Sequence, residues 1–118
     1  MYKRQFYNYI YFSSFIFDCL SWSGGNTHLE ALTFDKPIIT MEGKSLKQNH
    51  TFGFLKRINQ DNLITSNERE YINKILEFSK NKNLIKISTE EIFNNKNLLF
   101  KDMECIKSLE NSLIKNLF

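Results

Sequence analysis

Apolar residues fall along this chain in short runs separated by turn chemistry. Phe12–Phe17 is an apolar run rich in aromatics and Ile, closed by Asp18, and it reads as a buried strand. Ser21–Asn26 (Ser-Trp-Ser-Gly-Gly-Asn) is a loop. Thr27 then opens a short helix with apolar positions at Leu29, Ala31, Leu32 and Phe34. Asp35-Lys36-Pro37 stops it, because proline disfavours helical backbone in the residue before it. Pro37–Met41 is a second buried strand, entered by the only proline, and Glu42-Gly43-Lys44 is the turn after it.

Beyond this point the period becomes helical. Leu46, Phe52, Leu55 and Ile58 predict a helix over Ser45–Ile58, and Asn62–Thr65 is a short strand or extended connector. Tyr71, Ile72, Ile75 and Leu76 share a helix face opposite Asn73, Lys74 and Glu77. Thr89-Glu90-Glu91-Ile92 opens a further short helix, and Met103, Ile106, Leu109, Leu113 and Leu117 mark a last amphipathic one.

Strand, glycine loop, short helix, strand, helix is the grammar of an α/β fold with parallel strands. Two or three strands make only part of such a sheet and leave an unpaired edge, so the pattern predicts an incomplete domain. At 118 residues the chain has room for one domain at most.

Composition narrows the function classes. A hydrophobic fraction of 42% supports a core. Sixteen basic residues are interleaved with thirteen acidic ones for a net charge of +3, which describes solvated helix faces and not a nucleic-acid surface. The two cysteines, Cys19 and Cys105, form no CxxC pair and have no His at ligand spacing, so neither a zinc site nor a disulfide framework is expected. Reduced thiols point to a cytoplasmic protein.

The N-terminus mimics a secretory leader, with a basic Met1–Gln5 ahead of an apolar Phe6–Leu20. Asn8, Ser13, Ser14 and Asp18 break the run, and no small-x-small cleavage site follows. It is also shorter than the roughly 20 residues of a membrane span, so none is expected. The string Met1-Tyr2-Lys3-Arg4-Gln5 resembles translated sequencing-library adapter. On that reading residues 1–5 are not native, residues 6–118 are the protein, and the natural chain continues upstream.

Candidate chemistry lies in Trp22–Leu32 (Trp-Ser-Gly-Gly-Asn-Thr-His-Leu-Glu-Ala-Leu), at the carboxyl end of a predicted parallel strand and the start of a helix. Ligands bind at that edge of α/β sheets. A helix N-terminus offers free N–H groups and partial positive charge, which suits phosphate. Gly24 and Gly25 let backbone approach a ligand, Asn26 and Thr27 add side-chain donors, and Glu30 can accept from adjacent ribose hydroxyls. Thr27-x-x-Glu30 also has capping-box spacing, which would stabilise any helix start; on the residues alone both readings stand. Neither GxGxxG nor a P-loop is present. His28 is expected on an exposed helix face, with donation to phosphate as the alternative. His50 is expected to be a packing or surface residue. Trp22 is expected to pack within its loop or to line a sugar pocket.

Several segments together resemble the C-terminal domain of bacterial O-linked N-acetylglucosamine transferases, the SPINDLY-like enzymes that carry tetratricopeptide repeats upstream. They are Phe17-Asp18, Ser21–Thr27, Leu29–Leu32, Lys36–Met41 and Gly43. A weaker likeness runs through His50-Thr51, Lys101-Asp102 and Cys105–Glu110. The resemblance implies part of the Rossmann-like C-terminal domain of a GT-B glycosyltransferase. Its donor would be UDP-N-acetylglucosamine and its acceptor Ser or Thr of a protein. It implies diphosphate contacts from Gly25, Asn26 and Thr27, with Gly24 beside them, and a ribose contact from Glu30. It implies no metal or other cofactor, and no catalytic residue within this chain. The sequence departs from the family at three places: His28 stands for a second Thr, Asp35 for Gly, and Asn49 near a usual basic residue. A nucleotide-sugar epimerase of the same architecture and a non-catalytic remnant or interaction module are the alternatives.

Overall fold

A computed structural model describes residues 2–117. Helix α1 (Tyr2–Phe12) leads into a two-residue strand β1 (Ile16–Phe17), helix α2 (Asn26–Thr33) and strand β2 (Ile38–Met41). A 3-10 turn (Leu46–Gln48) precedes α3 (His50–Arg57), and a second (Asp61–Leu63) precedes β3 (Ile64–Thr65). Four helices follow: α4 (Glu68–Lys80), α5 (Lys82–Asn95), α6 (Asn97–Phe100) and α7 (Met103–Leu117). The three strands form a parallel sheet in the order β1-β2-β3. Ile16 stands beside Ile38, and Thr40 beside Ile64.

β2 is the centre of the core, because helices cover it and strands flank it. Ile38 and Ile39 are fully buried, together with Ala31 and Leu32 of α2, Leu55 of α3, Leu63, and Ile92 of α5. A strand buried on both faces is apolar throughout, which is why Pro-Ile-Ile-Thr-Met was legible as one. Pro37 sits at the strand's start, where its missing N–H costs nothing, and its carbonyl accepts from Ile16 N at 2.8 Å.

α2 and α3 end alike. Asp35 and Asn59 follow them in the left-handed region, each with φ 58°. Lys36 N donates to Ala31 O and Asp35 N to Leu32 O; Gln60 N donates to Leu55 O and Asn59 N to Lys56 O. These paired bonds satisfy carbonyls that a helix end leaves free. Gly suits this backbone best, and Asp and Asn are among the few side chains that tolerate it.

Four expectations need correction. The apolar run from Phe12 is not a strand throughout: Phe12 ends α1, only Ile16–Phe17 pairs, and Phe17 is exposed. Ser13 stops the helix by donating its hydroxyl to Ile10 O and its N–H to Tyr9 O. The helix over Ser45–Ile58 is broken at Asn49, whose side chain is turned to the preceding loop. The helix assigned to start at Thr89 begins at Lys82, where the Asn81 side chain accepts from Asn83 N and Leu84 N. Thr27 does not cap α2, as detailed below. The last amphipathic helix is present as α7, but no residue of it is buried, so its apolar face contributes nothing to this core. No helix among the described residues is long and apolar enough to cross a membrane.

Candidate functional site

The loops after β1 and β2 meet at the carboxyl edge of the sheet, and a buried carboxylate organises them. Asp18, 4% exposed, directly follows β1. Its carboxylate accepts from Ser23 Oγ at 2.6 Å, Thr40 Oγ1 at 2.8 Å and Gly24 N at 2.9 Å. Such a charge is tolerable in a core only when donors surround it. Ser23 Oγ in turn accepts from Thr51 N at 3.0 Å, tying the loop to the first turn of α3. The Thr51 hydroxyl lies 2.6 Å from His28 Nδ1, closing the ring of contacts back onto α2. From the far side, the Tyr71 hydroxyl of α4 donates to the Asp18 carbonyl at 2.5 Å. Burial pushes the Tyr71 hydroxyl up to about 12, with the charges of Asp18 and Cys19 adding to it.

His28 is thus not on an exposed face. It is 6% exposed and packs under the loop. Burial lowers its pKa below the ordinary imidazole value, and the nearby Asp18 partly offsets this. The spacing of α2 could not reveal it, since the partners Thr51 and Asp18 come from other elements. Gly24 is explained by the same ring: a Cβ there would lie 2.6 Å from His28 Cε1. Asp18, Ser23 and Thr51 are the functional-site residues that sequence reasoning left without a role. Asp18 gave one signal, a lone carboxylate at the end of an apolar strand.

Above this buried base lies the open face. Gly25 is the N-cap of α2, and no side-chain cap bond is made. Thr27 and Glu30 therefore fall inside the helix, two positions past the register a capping box needs. The first N–H groups to bond back are those of His28 and Leu29, both to Gly25 O. The N–H groups before them are the donors every helix leaves at its start. A Cβ on Gly25 would meet nothing within 4 Å, Asn26 is exposed, and Thr27, also exposed, borders a groove lined by Phe6, Ile10 and Ile16.

Glu30 lies one turn further along α2, half-buried, and accepts from Tyr7 Oη of α1 at 3.2 Å. That bond raises the Tyr7 pKa, because deprotonation would set two anions together. Trp22 does not pack within its loop: it is 65% exposed, with Lys47 Nζ 5.6 Å from its ring centroid. His50 is half-buried, its Nδ1 3.4 Å from Ser23 O. Asn49 clamps the turn after β2: its Oδ1 accepts from Gly43 N at 2.8 Å, and its Nδ2 donates to Gly43 O and Ser45 O. Cys19 and Cys105 are free and exposed.

No protein-family model matches the chain, and no curated protein does. Among solved structures it is similar to a mutant of the O-GlcNAc transferase of Thermobaculum terrenum, with a TM-score of 0.74 and 24% identity. The match covers 84% of this chain and 19% of that one. The chain therefore shares an α/β fold with a part of that transferase, and spans under a fifth of its length. The parallel sheet expected from the sequence is present, as three short strands within a helix-rich whole.

Proposed function

We propose that this chain is the C-terminal, nucleotide-sugar-binding part of a GT-B glycosyltransferase of the SPINDLY-like O-GlcNAc-transferase type. Residues 6–118 would form that part, with residues 1–5 non-native and the rest of the enzyme upstream. The whole enzyme would carry N-acetylglucosamine from its UDP donor to Ser or Thr of an acceptor protein in the cytoplasm. No metal or other cofactor is assigned, and no catalytic residue lies in this chain.

The observation that carries the reading is the open N-terminus of α2 above a buried, rigid base. Gly25 is unobstructed and Asn26 and Thr27 are exposed at the carboxyl edge of a parallel sheet, where such folds bind ligands. A diphosphate there would accept from their N–H groups and from Thr27 Oγ1, in the positive field of the helix start. Glu30, one turn along, would accept from ribose hydroxyls. As the sugar leaves, charge grows on the diphosphate. Donors already held in place by Asp18, Ser23 and Thr51 stabilise that charge without rearranging.

Calorimetric titration of UDP into the chain tests this. Thr27→Ala and Glu30→Ala should each weaken binding by about 1–3 kcal/mol, as for lost hydrogen bonds to charged groups. Thr27→Ala should keep the parent's melting temperature, since Thr27 does not cap the helix, whereas Glu30→Ala also loses the bond from Tyr7 and its affinity is read on the folded protein. Absence of UDP binding by the parent chain, or unchanged affinity in both variants, would sink the proposal.

A further inference from the structure

We infer that Trp22 and Lys47 form the wall that receives the transferred sugar, and so select it; this rests on the donor-binding reading above. The Trp22 indole is 65% exposed and offers an open aromatic face. It is held in position. Lys47 reaches from the loop after β2 to set its ammonium 5.6 Å from the Trp22 ring centroid. The two loops are joined where they cross, by Ser23 N donating to Lys47 O at 2.8 Å and Gln48 Nε2 to Leu20 O at 3.2 Å. The residue after Trp22 is Ser23, fixed in the buried Asp18 ring. Among the described residues, no carboxylate lies within ion-pair distance of Lys47, so its charge is free for a ligand.

Placement along the donor decides which part of it meets the pair. A nucleotide sugar is linear: nucleoside, diphosphate, sugar. With diphosphate at 25–27 and ribose at Glu30, the nucleoside runs along α2 away from its start. On that placement the sugar lies beyond the start of α2, on the side of the loop before Gly25 that carries Trp22. A pyranose has an apolar C–H face and a rim of hydroxyls. An aromatic face suits the first, and an ammonium with three donors suits the second. Side chains already ordered lose little freedom on binding.

The test compares UDP with UDP-N-acetylglucosamine and UDP-glucose, titrated into the parent chain, Trp22→Ala and Lys47→Met. Trp22→Ala should weaken a sugar nucleotide by about tenfold or more, as truncating an aromatic anchor does, and leave UDP within about twofold. Lys47→Met should act in the same direction and alter the ratio between the two sugars. Equal weakening of UDP and sugar nucleotides, or no change in either, overturns the inference while the donor-binding reading stands. A parent chain that binds none of the three overturns both. Both side chains are exposed, so loss of fold is not expected, and far-UV circular dichroism of each variant checks it.

Discussion

His28 Nδ1 lies 3.6 Å from an Asp18 carboxylate oxygen, and the Thr51 hydroxyl is nearer still to the same nitrogen, at 2.6 Å. The imidazole is buried, and burial holds its pKa below the value it has in an unfolded chain. The sign follows. Below the unfolded-state value of about 6.5, the unfolded chain takes up a proton that the folded chain refuses. Unfolding is then favoured, so stability falls as pH drops from 7 toward the lowered folded value. Melting temperatures measured between pH 7.5 and 5 should decline in the parent. His28→Asn can keep a polar contact with Thr51 but does not titrate, so its decline should be shallower. Parallel curves would show that His28 does not contribute to the pH dependence.

Asp18 differs from a surface carboxylate in what its loss would strand. Asp18→Ala would leave the Thr40 hydroxyl and Gly24 N without their acceptor inside the protein, while the Ser23 hydroxyl keeps the Thr51 hydroxyl at 2.9 Å. Each buried orphan costs about 1–3 kcal/mol, and water entering the gap returns part of it. We expect a net loss of about 3–5 kcal/mol in urea denaturation, large for a single substitution. Thr51→Val removes one hydroxyl of the ring and should cost about 1–2 kcal/mol. Because both act on Ser23, their effects should not add in the double variant.

The left-handed residue after α3 offers a cleaner backbone test. Asn59 has φ 58° and an exposed side chain. Asn59→Ala forces a Cβ into that conformation without the local polar compensation that Asn provides, and should cost about 1 kcal/mol. Asn59→Gly should be neutral or stabilising, since the backbone suits Gly. The same pair of changes at Asp35 would be less clean, because Lys96 Nζ lies 2.7 Å from Asp35 Oδ1.

What the sequence revealed, and what it hid, divides along local and non-local lines. β2 and α2 were legible because Pro37 and the run Ile38-Ile39 carry their signals within a few residues. The start of α5 was misplaced because Asn81 is an N-cap seen only once its neighbours Lys82 and Asn83 are known to be helical. β1 was overdrawn because Phe12 and Phe15 are apolar for different reasons. Phe12 is exposed at the end of α1, while Phe15 packs toward the core against Phe78 at 5.7 Å between rings. The candidate loop was found, but its support was not. Asp18, Thr40, Thr51 and Tyr71 are brought to it from positions up to 53 residues apart, and no spacing in one chain encodes that. His28 shows the difference most plainly: its neighbours in sequence suggested an exposed helix face, and its neighbours in space bury it.

The adjacent glycines differ in what an added methyl group would meet. Gly24→Ala would put a Cβ 2.6 Å from the His28 ring, which cannot retreat without leaving Thr51. Overpacking of this kind costs about 1–3 kcal/mol, and the melting temperature should fall accordingly. Gly25→Ala adds the same methyl group one residue later, where φ is −92° and nothing lies within 4 Å. With ψ at −98° this backbone lies outside the regions that side chains favour, so a backbone cost of about 1–3 kcal/mol is expected without any clash. If a diphosphate closes on the Gly25 backbone as proposed, the added methyl stands in its path, and UDP affinity of the folded protein should fall. Thermal melts and UDP titrations of both variants check this. A Gly25→Ala variant that binds UDP as the parent does would move the ligand away from the start of α2.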